Sequence, residues 1–281
     1  MATKKKKQTK IFTYIIINLI MLIMIYPLLW MLSSSFKPDA IIFQEMGLWP
    51  TQFTLDNYIK GWKGFSGNNF SSFYKNTFFI VGMAIIGNLI SCSMAAYAFA
   101  RMNFSFHRVL FAIMLTTMML PFHVLLIPRY MIYLRLDWIN SYLPLIAPKF
   151  LATDGFFIFL MVQFIRGIPR ELDQSATVDG CSPIQIFYSI LLPLLKPALI
   201  TTTIFTFIWT WNDFFSQLIY ISGPPKFTIA LGLRAFLDTQ GVSNWGAMFA
   251  MSIVSLVPIL TFFIAFQRLI IEGVSTSGIK G

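Results

Sequence analysis

The chain has 281 residues, 57% of them hydrophobic and 11% charged, against roughly 45–50% apolar and about 25% charged in an ordinary soluble domain, which excludes a soluble globular enzyme. The net charge of +10 comes from 21 Lys and Arg set against 11 Asp and Glu; the basic residues are scattered between apolar runs, so no face tracks phosphates and nucleic acid is not a partner. Cys92 and Cys181 are the two cysteines and imply no disulfide framework.

A helix needs about 20 apolar residues to cross the hydrocarbon core. Six such runs are predicted, at about 11–33, 76–100, 109–130, 142–165, 197–221 and 247–267, and they leave no room for a sizeable catalytic domain. Residues 1–10 are a basic tail holding Lys4, Lys5, Lys6, Lys7 and Lys10. No cleavage site follows the first run, so the tail reads as part of an uncleaved anchor with its N-terminus inside the cell. The segment from Lys37 to Ser72, with Pro38, Pro50 and the Gly and Asn residues of 64–69, is too polar to cross and reads as an outer loop. Residues 76–100 and 109–128 contain no Asp, Glu, Lys or Arg, whereas the fourth run carries Lys149 and Asp154 in its first half. Its outer part is therefore expected against other helices or near the headgroups. Asp213 interrupts the fifth run; the sixth lies in the charge-free stretch Thr239–Gln267. An even number of crossings returns the tail 271–281 to the inside.

Residues 169–193 predict a cytoplasmic hairpin of two short helices. Pro169 suits a first helical position, Glu171 lies near the positive end of the helix dipole, and Gly180 suits the left-handed residue that ends a helix. Ser182, Pro183 and Gln185 then form a Ser-x-x-Gln capping box, and the second helix should stop before Pro193. The first helix presents Ser175, Ala176 and Thr177, small enough for close approach of another surface. The second presents Ile184, Phe187, Tyr188 and Leu191 at helical spacing, an apolar plug for a groove in a soluble partner.

A charge inside a bilayer costs several kcal/mol unless paired or wet, so Asp213 should face the interior. Trp211, Asn212 and Asp213 together offer an indole for a sugar ring and polar groups for hydroxyls, with Phe122 and His123 as further path candidates. Trp209 and Trp211 fall about 200° apart on a helix, so only one of them can line a path. The competing reading has Trp209 facing lipid or a neighbouring helix and Asp213 pairing structurally with a base such as Arg129. The methionines Met114, Met118 and Met119 read as packing rather than metal ligands. No Walker-type phosphate loop and no catalytic constellation is visible, so the chain is expected to be non-catalytic and free of its own cofactor or metal.

Gln174-Ser175-Ala176, Gly180 and Ile190-Leu191-Leu192-Pro193 match the spacing of Glu-Ala-Ala, three residues, Gly, nine residues, Ile-x-Leu-Pro. By that motif the chain resembles the permease subunits of ATP-binding-cassette importers, within them the carbohydrate-uptake group and its smaller maltose-type subunit. Pro121 and Ile127-Pro128, Leu136–Tyr142, Trp209–Phe214 and Gln267-Arg268 with Gly273 resemble further family segments. The ending Ser277-Gly278-Ile279-Lys280-Gly281 is similar to a family tail that reaches between the two ATPases. The resemblance implies an all-α integral membrane protein with six transmembrane helices, type I importer architecture and a cytoplasmic coupling hairpin. It implies ATPase-coupling roles for Asp173, Gln174, Ser175, Ala176, Gly180, Ile184, Phe187, Pro193 and Lys280. In the family the first motif residue is a glutamate in ionic contact with the ATPase; this chain has Gln174 there, with Asp173 and Glu171 as neighbouring carboxylates.

Further implied are a second, different permease subunit, two ATP-binding subunits that hold ATP and Mg, an extracytoplasmic solute-binding protein, a sugar cargo and the lipids of a bacterial cytoplasmic membrane. Arg129 and Arg135 keep an anionic cargo such as glycerol phosphate open. An ion-coupled secondary transporter is the reading from another class, and it would want more than one intramembrane ionisable group.

Overall fold

A backbone in hydrocarbon must satisfy its own N–H and C=O groups, and the apolar runs accordingly fold as helices. The computed structural model describes residues 2–238 and 244–278. Among them no strand forms; an isolated bridge joins Phe65 and Asn68. The helices are α1 (Ala2–Ser34), α2 (Asp56–Lys63), α3 (Phe70–Arg101), α4 (His107–Thr117), α5 (Phe122–Arg135), α6 (Leu143–Ile146) and α7 (Gly155–Arg166), then α8 (Glu171–Val178), α9 (Pro183–Ile186), α10 (Leu192–Leu194), α11 (Lys196–Trp211), α12 (Phe214–Tyr220), α13 (Ile229–Asp238) and α14 (Trp245–Gly278).

Four described stretches are long and apolar enough to cross a membrane: Phe12–Ser34, Phe70–Arg101, Leu143–Arg166 and Trp245–Gln267. Two bent pairs, His107–Thr117 with Phe122–Arg135 and Pro183–Leu194 with Lys196–Trp211, bring the number to six if each is one span. The third run is therefore not the straight helix that its apolar sequence predicts. It bends by 105° between α4 and α5, where Pro121 supplies no N–H and disfavours helical geometry at Leu120. The fifth run is also divided. Asp213 leaves the helix and accepts a hydrogen bond from Ser216 N at 3.0 Å, capping α12.

The chain divides into two compact units, Met1–Ser71 with Gly232–Pro258 and Ser72–Leu231 with Ile259–Gly281. In the first, the segment expected as a loop is ordered around α2 and a buried lysine. Lys37, 0% exposed, donates to the carbonyls of Glu45 and Gly47 at 2.7 and 2.6 Å. Asn57 Nδ2 donates to Ser35 O and Lys37 O. The buried ammonium and amide are thus satisfied by loop carbonyls, as their desolvation requires.

In the second unit α3 and α7 pack closely. Cys92, Ala96 and Ala100, one turn apart on α3, are buried with Phe157, Met161 and Ile165 of α7; small residues on one helix let bulky ones on the other approach. Gly87 takes the same principle further along α3. A Cβ there would lie 2.9 Å from the Phe150 ring and 3.0 Å from the Lys149 backbone.

Candidate functional site: an exposed elbow and a polar pocket

The elbow is built locally. α8 ends at Val178, Gly180 adopts φ +84°, and Ser182 caps α9. Both halves of the capping box form: Ser182 N donates to Gln185 Oε1 at 2.7 Å and Gln185 N to Ser182 Oγ at 3.4 Å. The first helix starts at Glu171 rather than beside Pro169. The second does not stop before Pro193; it passes through a π turn, Phe187–Leu191, into α10 and then bends by 74° toward α11. Pro193 sits in the first turn of α10, where a missing N–H costs nothing.

The structure divides the elbow's proposed coupling residues between two faces. Gln174, Ser175, Thr177 and Gly180 are exposed, and Ile184 and Tyr188 remain 70% and 56% exposed. Ala176, Phe187 and Leu191 turn inward, packed with Ile186 and Tyr97. Asp173 also turns inward, toward α3. It meets Arg101 Nε at 2.6 Å, with side-chain exposures of 19% and 7%. This is ionic contact without hydrogen-bond alignment, and Asp173 Oδ1 is buried with no hydrogen-bond partner. Arg101 Nη2 donates to Ile168 O at 2.7 Å and Tyr97 Oη to Pro183 O at 3.1 Å. Of the two carboxylates beside Gln174, Glu171 is the exposed one. Lys280 lies outside the described residues.

The pocket is assembled from four distant segments. About 270 Å³ in volume, it lies among Phe122, Arg129 and Tyr133 of α5, Lys149 and Asp154 before α7, Trp209 at the end of α11, and Asp213 and Gln217 around α12. Lys149 Nζ donates to Asp154 Oδ2 at 2.8 Å, and Asn88 Nδ2 of α3 donates to the same oxygen at 2.8 Å. Asn88 Nδ2 also reaches Thr206 Oγ1 at 3.0 Å, and Ser91 Oγ donates to Lys149 O at 2.6 Å. The two charges in the fourth run are thus paired inside the chain, which offsets their desolvation. Arg129 lies over the Phe122 ring, 5.8 Å from its centroid.

Of the five path candidates, the pocket gathers Asp213 and Phe122. Trp211 is 5% exposed, with ring centroids 5.3 Å from Phe207 and 5.1 Å from Phe78, and it is Trp209, 49% exposed, that lines the pocket. Trp209 also packs against a neighbouring helix, its ring 5.5 Å from Phe156 and 5.3 Å from Phe157 of α7. The 200° separation holds, but the burial of an indole depends on which side its neighbouring helices occupy. Asn212 turns its amide back to Ile208 O at 2.8 Å. His123 stacks edge-on against Phe122 and Phe215 outside the pocket. Asp213 holds the Ser216 amide instead of forming an ion pair with Arg129. Sequence reasoning missed Arg129, Lys149, Asp154 and Trp209 as one group; its available signal was the pair of charges inside an apolar run. Among the described residues no three His, Cys, Asp or Glu side chains come together as metal ligands would.

The loop Leu136–Tyr142 is a fastening. Asn140 N donates to Tyr220 O at 2.7 Å, and its Oδ1 accepts from Gly223 N at 3.0 Å.

The arabinooligosaccharide transport permease AraQ of Halalkalibacterium halodurans is 30% identical over 99% of this chain and 100% of its own. The diacetylchitobiose uptake permease DasC of Streptomyces coelicolor is 31% identical over 92% of each chain. The crystal structure of a bacterial ABC transporter involved in the import of the acidic polysaccharide alginate contains a chain with the same fold, with a TM-score of 0.83 and 22% identity over 94% of this chain and 97% of that one. Residues 87–276, which hold both the elbow and the pocket, match the family described as binding-protein-dependent transport system inner membrane component, and the chain, a membrane-embedded transport permease by that match, belongs to this family.

Proposed function

We propose that the chain is the permease subunit of an ATP-driven importer that passes a sugar or oligosaccharide through the bacterial cytoplasmic membrane. The observation that carries this reading is the exposed elbow: Gly180 in a left-handed turn between two capped helices, inside a motif of full family spacing. Counting both bent pairs as spans gives six crossings, which together with the basic residues of 4–10 supports a cytoplasmic side for both termini and the elbow. Two ATPase subunits holding ATP and Mg then dock on Gln174, Ser175, Ile184 and the turn at Gly180, with Lys280 in the tail as a further contact. A second, different permease subunit completes the path, and an external binding protein delivers the solute.

The mechanism is alternating access. Closure of the ATPases on ATP pushes the elbow and opens the path outward; their separation after hydrolysis turns it inward. The pocket supports the cargo class. Arg129 and Lys149 balance Asp154 and Asp213, and Trp209 exposes an indole face beside them, which suits a neutral, hydroxyl-rich ring.

The test is purification of the tagged chain in mild detergent. The expected result is a soluble ATPase that copurifies and whose turnover rises when the binding protein is added. Gly180→Val, which forces a β-branched residue to φ +84°, should lower that stimulated turnover at least about tenfold, from strain of order 1–3 kcal/mol at the turn. Copurification of no ATPase would overturn the reading, as would full stimulation in the variant.

A further inference from the structure

The chain leaves α7 through Gly167, Ile168, Pro169 and Arg170 before α8 begins. Those four residues are not helical, so on this side the backbone joins the first elbow helix to α7 by a non-helical joint, while on the other side Pro183–Leu194 runs on to α11 through a 74° bend. Side chains of α3 cross that joint. Arg101, the last residue of α3, holds Asp173 beyond the joint and the Ile168 carbonyl within it. Arg170 Nη2 reaches back to Ala100 O at 3.4 Å, and Tyr97 grips the second elbow helix at Pro183 and Phe187.

Midway along the same helix, side chains hold two residues that line the pocket. Asn88 donates to Asp154, Ser91 to the Lys149 carbonyl, and Gly87 admits the Lys149 backbone. Thirteen residues separate Asn88 from Arg101, ~20 Å of helix without a proline. Along that length Cys92, Ala96 and Ala100 bed α3 against α7, so the two helices move as one body.

Resting on the reading that ATPases push the elbow, we infer that Arg101 is a latch: its pair with Asp173 stiffens the joint at 167–170, so that α3 carries the elbow's displacement to Asn88 and the Lys149–Asp154 pair. Arg101 is a positioning residue, touching neither solute nor nucleotide. Without the latch the first elbow helix turns on its joint and α3 no longer follows it, which leaves the bend before α11 as the remaining route to the pocket. A coupling claim of this kind needs an element that both sites bias, and α3 is the element that both ends hold.

Cys92 supplies the readout. It is 0% exposed, 3.9 Å from both Asn88 Oδ1 and the Asp154 carbonyl, so its alkylation reports opening beside the pocket. The experiment uses the whole complex with Cys181→Ser, and N-ethylmaleimide labelling rates are compared without nucleotide and with a non-hydrolysable ATP analogue. The expected difference is about tenfold in this parent, falling to about twofold or less in Arg101→Gln/Asp173→Asn, a range typical of intersite coupling. The double variant leaves no unpaired buried charge, and labelling is compared in complexes purified with equal amounts of ATPase. Equal rates in the two nucleotide conditions for the parent would overturn the inference, as would an undiminished difference in the double variant. Should that variant fail to accumulate, Arg101→Met/Asp173→Leu, which removes both charges and keeps the bulk, replaces it; a reduced response supports the latch and a full response ends it. Absence of the ATPase from the parent complex would instead remove the reading on which the latch rests.

Discussion

The elbow and the pocket are built in opposite ways. The bonds that close the elbow's turn join near neighbours: the Gly180 turn, the Cys181 amide to Ala176 O, and the Ser182–Gln185 box. The bonds that bring the pocket's segments together join residues 58 to 118 positions apart, such as Ser91 with Lys149 and Asn88 with Thr206. A local device survives the loss of one contact because its neighbours hold the same turn. A pocket gathered from distant helices depends on the packing of all of them.

Five variants and one change of pH probe that difference. The largest effect is expected for Trp211→Ala, which empties the aromatic cluster with Phe207 and Phe78 and should cost about 3–5 kcal/mol. Trp209→Ala should cost less than half of that in thermal stability while lowering uptake about fivefold, from the loss of a ring-stacking face. Detergent melting curves and vesicle uptake separate the two, and equal melting losses would erase the distinction between core and pocket indoles. Next comes Asp154→Ala, which strands Lys149. With side-chain exposures of 27% and 25% for the pair, the loss should be about 2–3 kcal/mol, below the fully buried case. Removing both charges as Lys149→Met/Asp154→Leu should recover part of it in the same melting assay. Ser182→Ala should cost about 1 kcal/mol, seen as faster proteolysis at residues 179–186 with the melting point almost unmoved.

The smallest effect is one of pH. Hydrogen bonding by the Thr51 hydroxyl, aided by its amide and by Lys37, holds the Glu45 carboxyl below its ordinary value. A lowered carboxylate pKa contributes stability that is present above the unfolded value and is lost as the pH falls through the folded one. Limited proteolysis of the segment 37–51 should therefore be unchanged from pH 8 to about 5 and should accelerate only in stronger acid. Acceleration already near neutral pH would show that the Glu45–Thr51 contact does not hold the segment.

The same contrast governs what could be read from sequence. The elbow is legible because its signals, Gly180 and the Ser182/Gln185 box, act on backbone within a few residues, and both took their expected form. The extent of its second helix was not, because a π turn absorbs the register before Pro193. In the spans, hydropathy marks membrane depth but carries no direction. It located the third run without revealing the bend at Pro121, although that proline's missing N–H was in plain view. The tryptophan spacing separated two faces correctly, yet nothing local says which face meets Phe207 and which meets the pocket. Lys149 and Asp154 were visible only as defects in an apolar run. Their partner Asn88 lies 66 residues from Asp154, and that proximity exists only once α3 and α7 have packed.

The capping box has a further consequence for assembly. Because Ser182 and Gln185 close the second helix and Leu191 and Phe187 anchor it from within, the outward side chains are set before any partner arrives. On the proposed function, docking of the ATPases onto a preordered turn would forfeit little conformational freedom. The speed of joining would then be governed by diffusive encounter, and a complex that dissociates would rebuild itself without refolding the elbow.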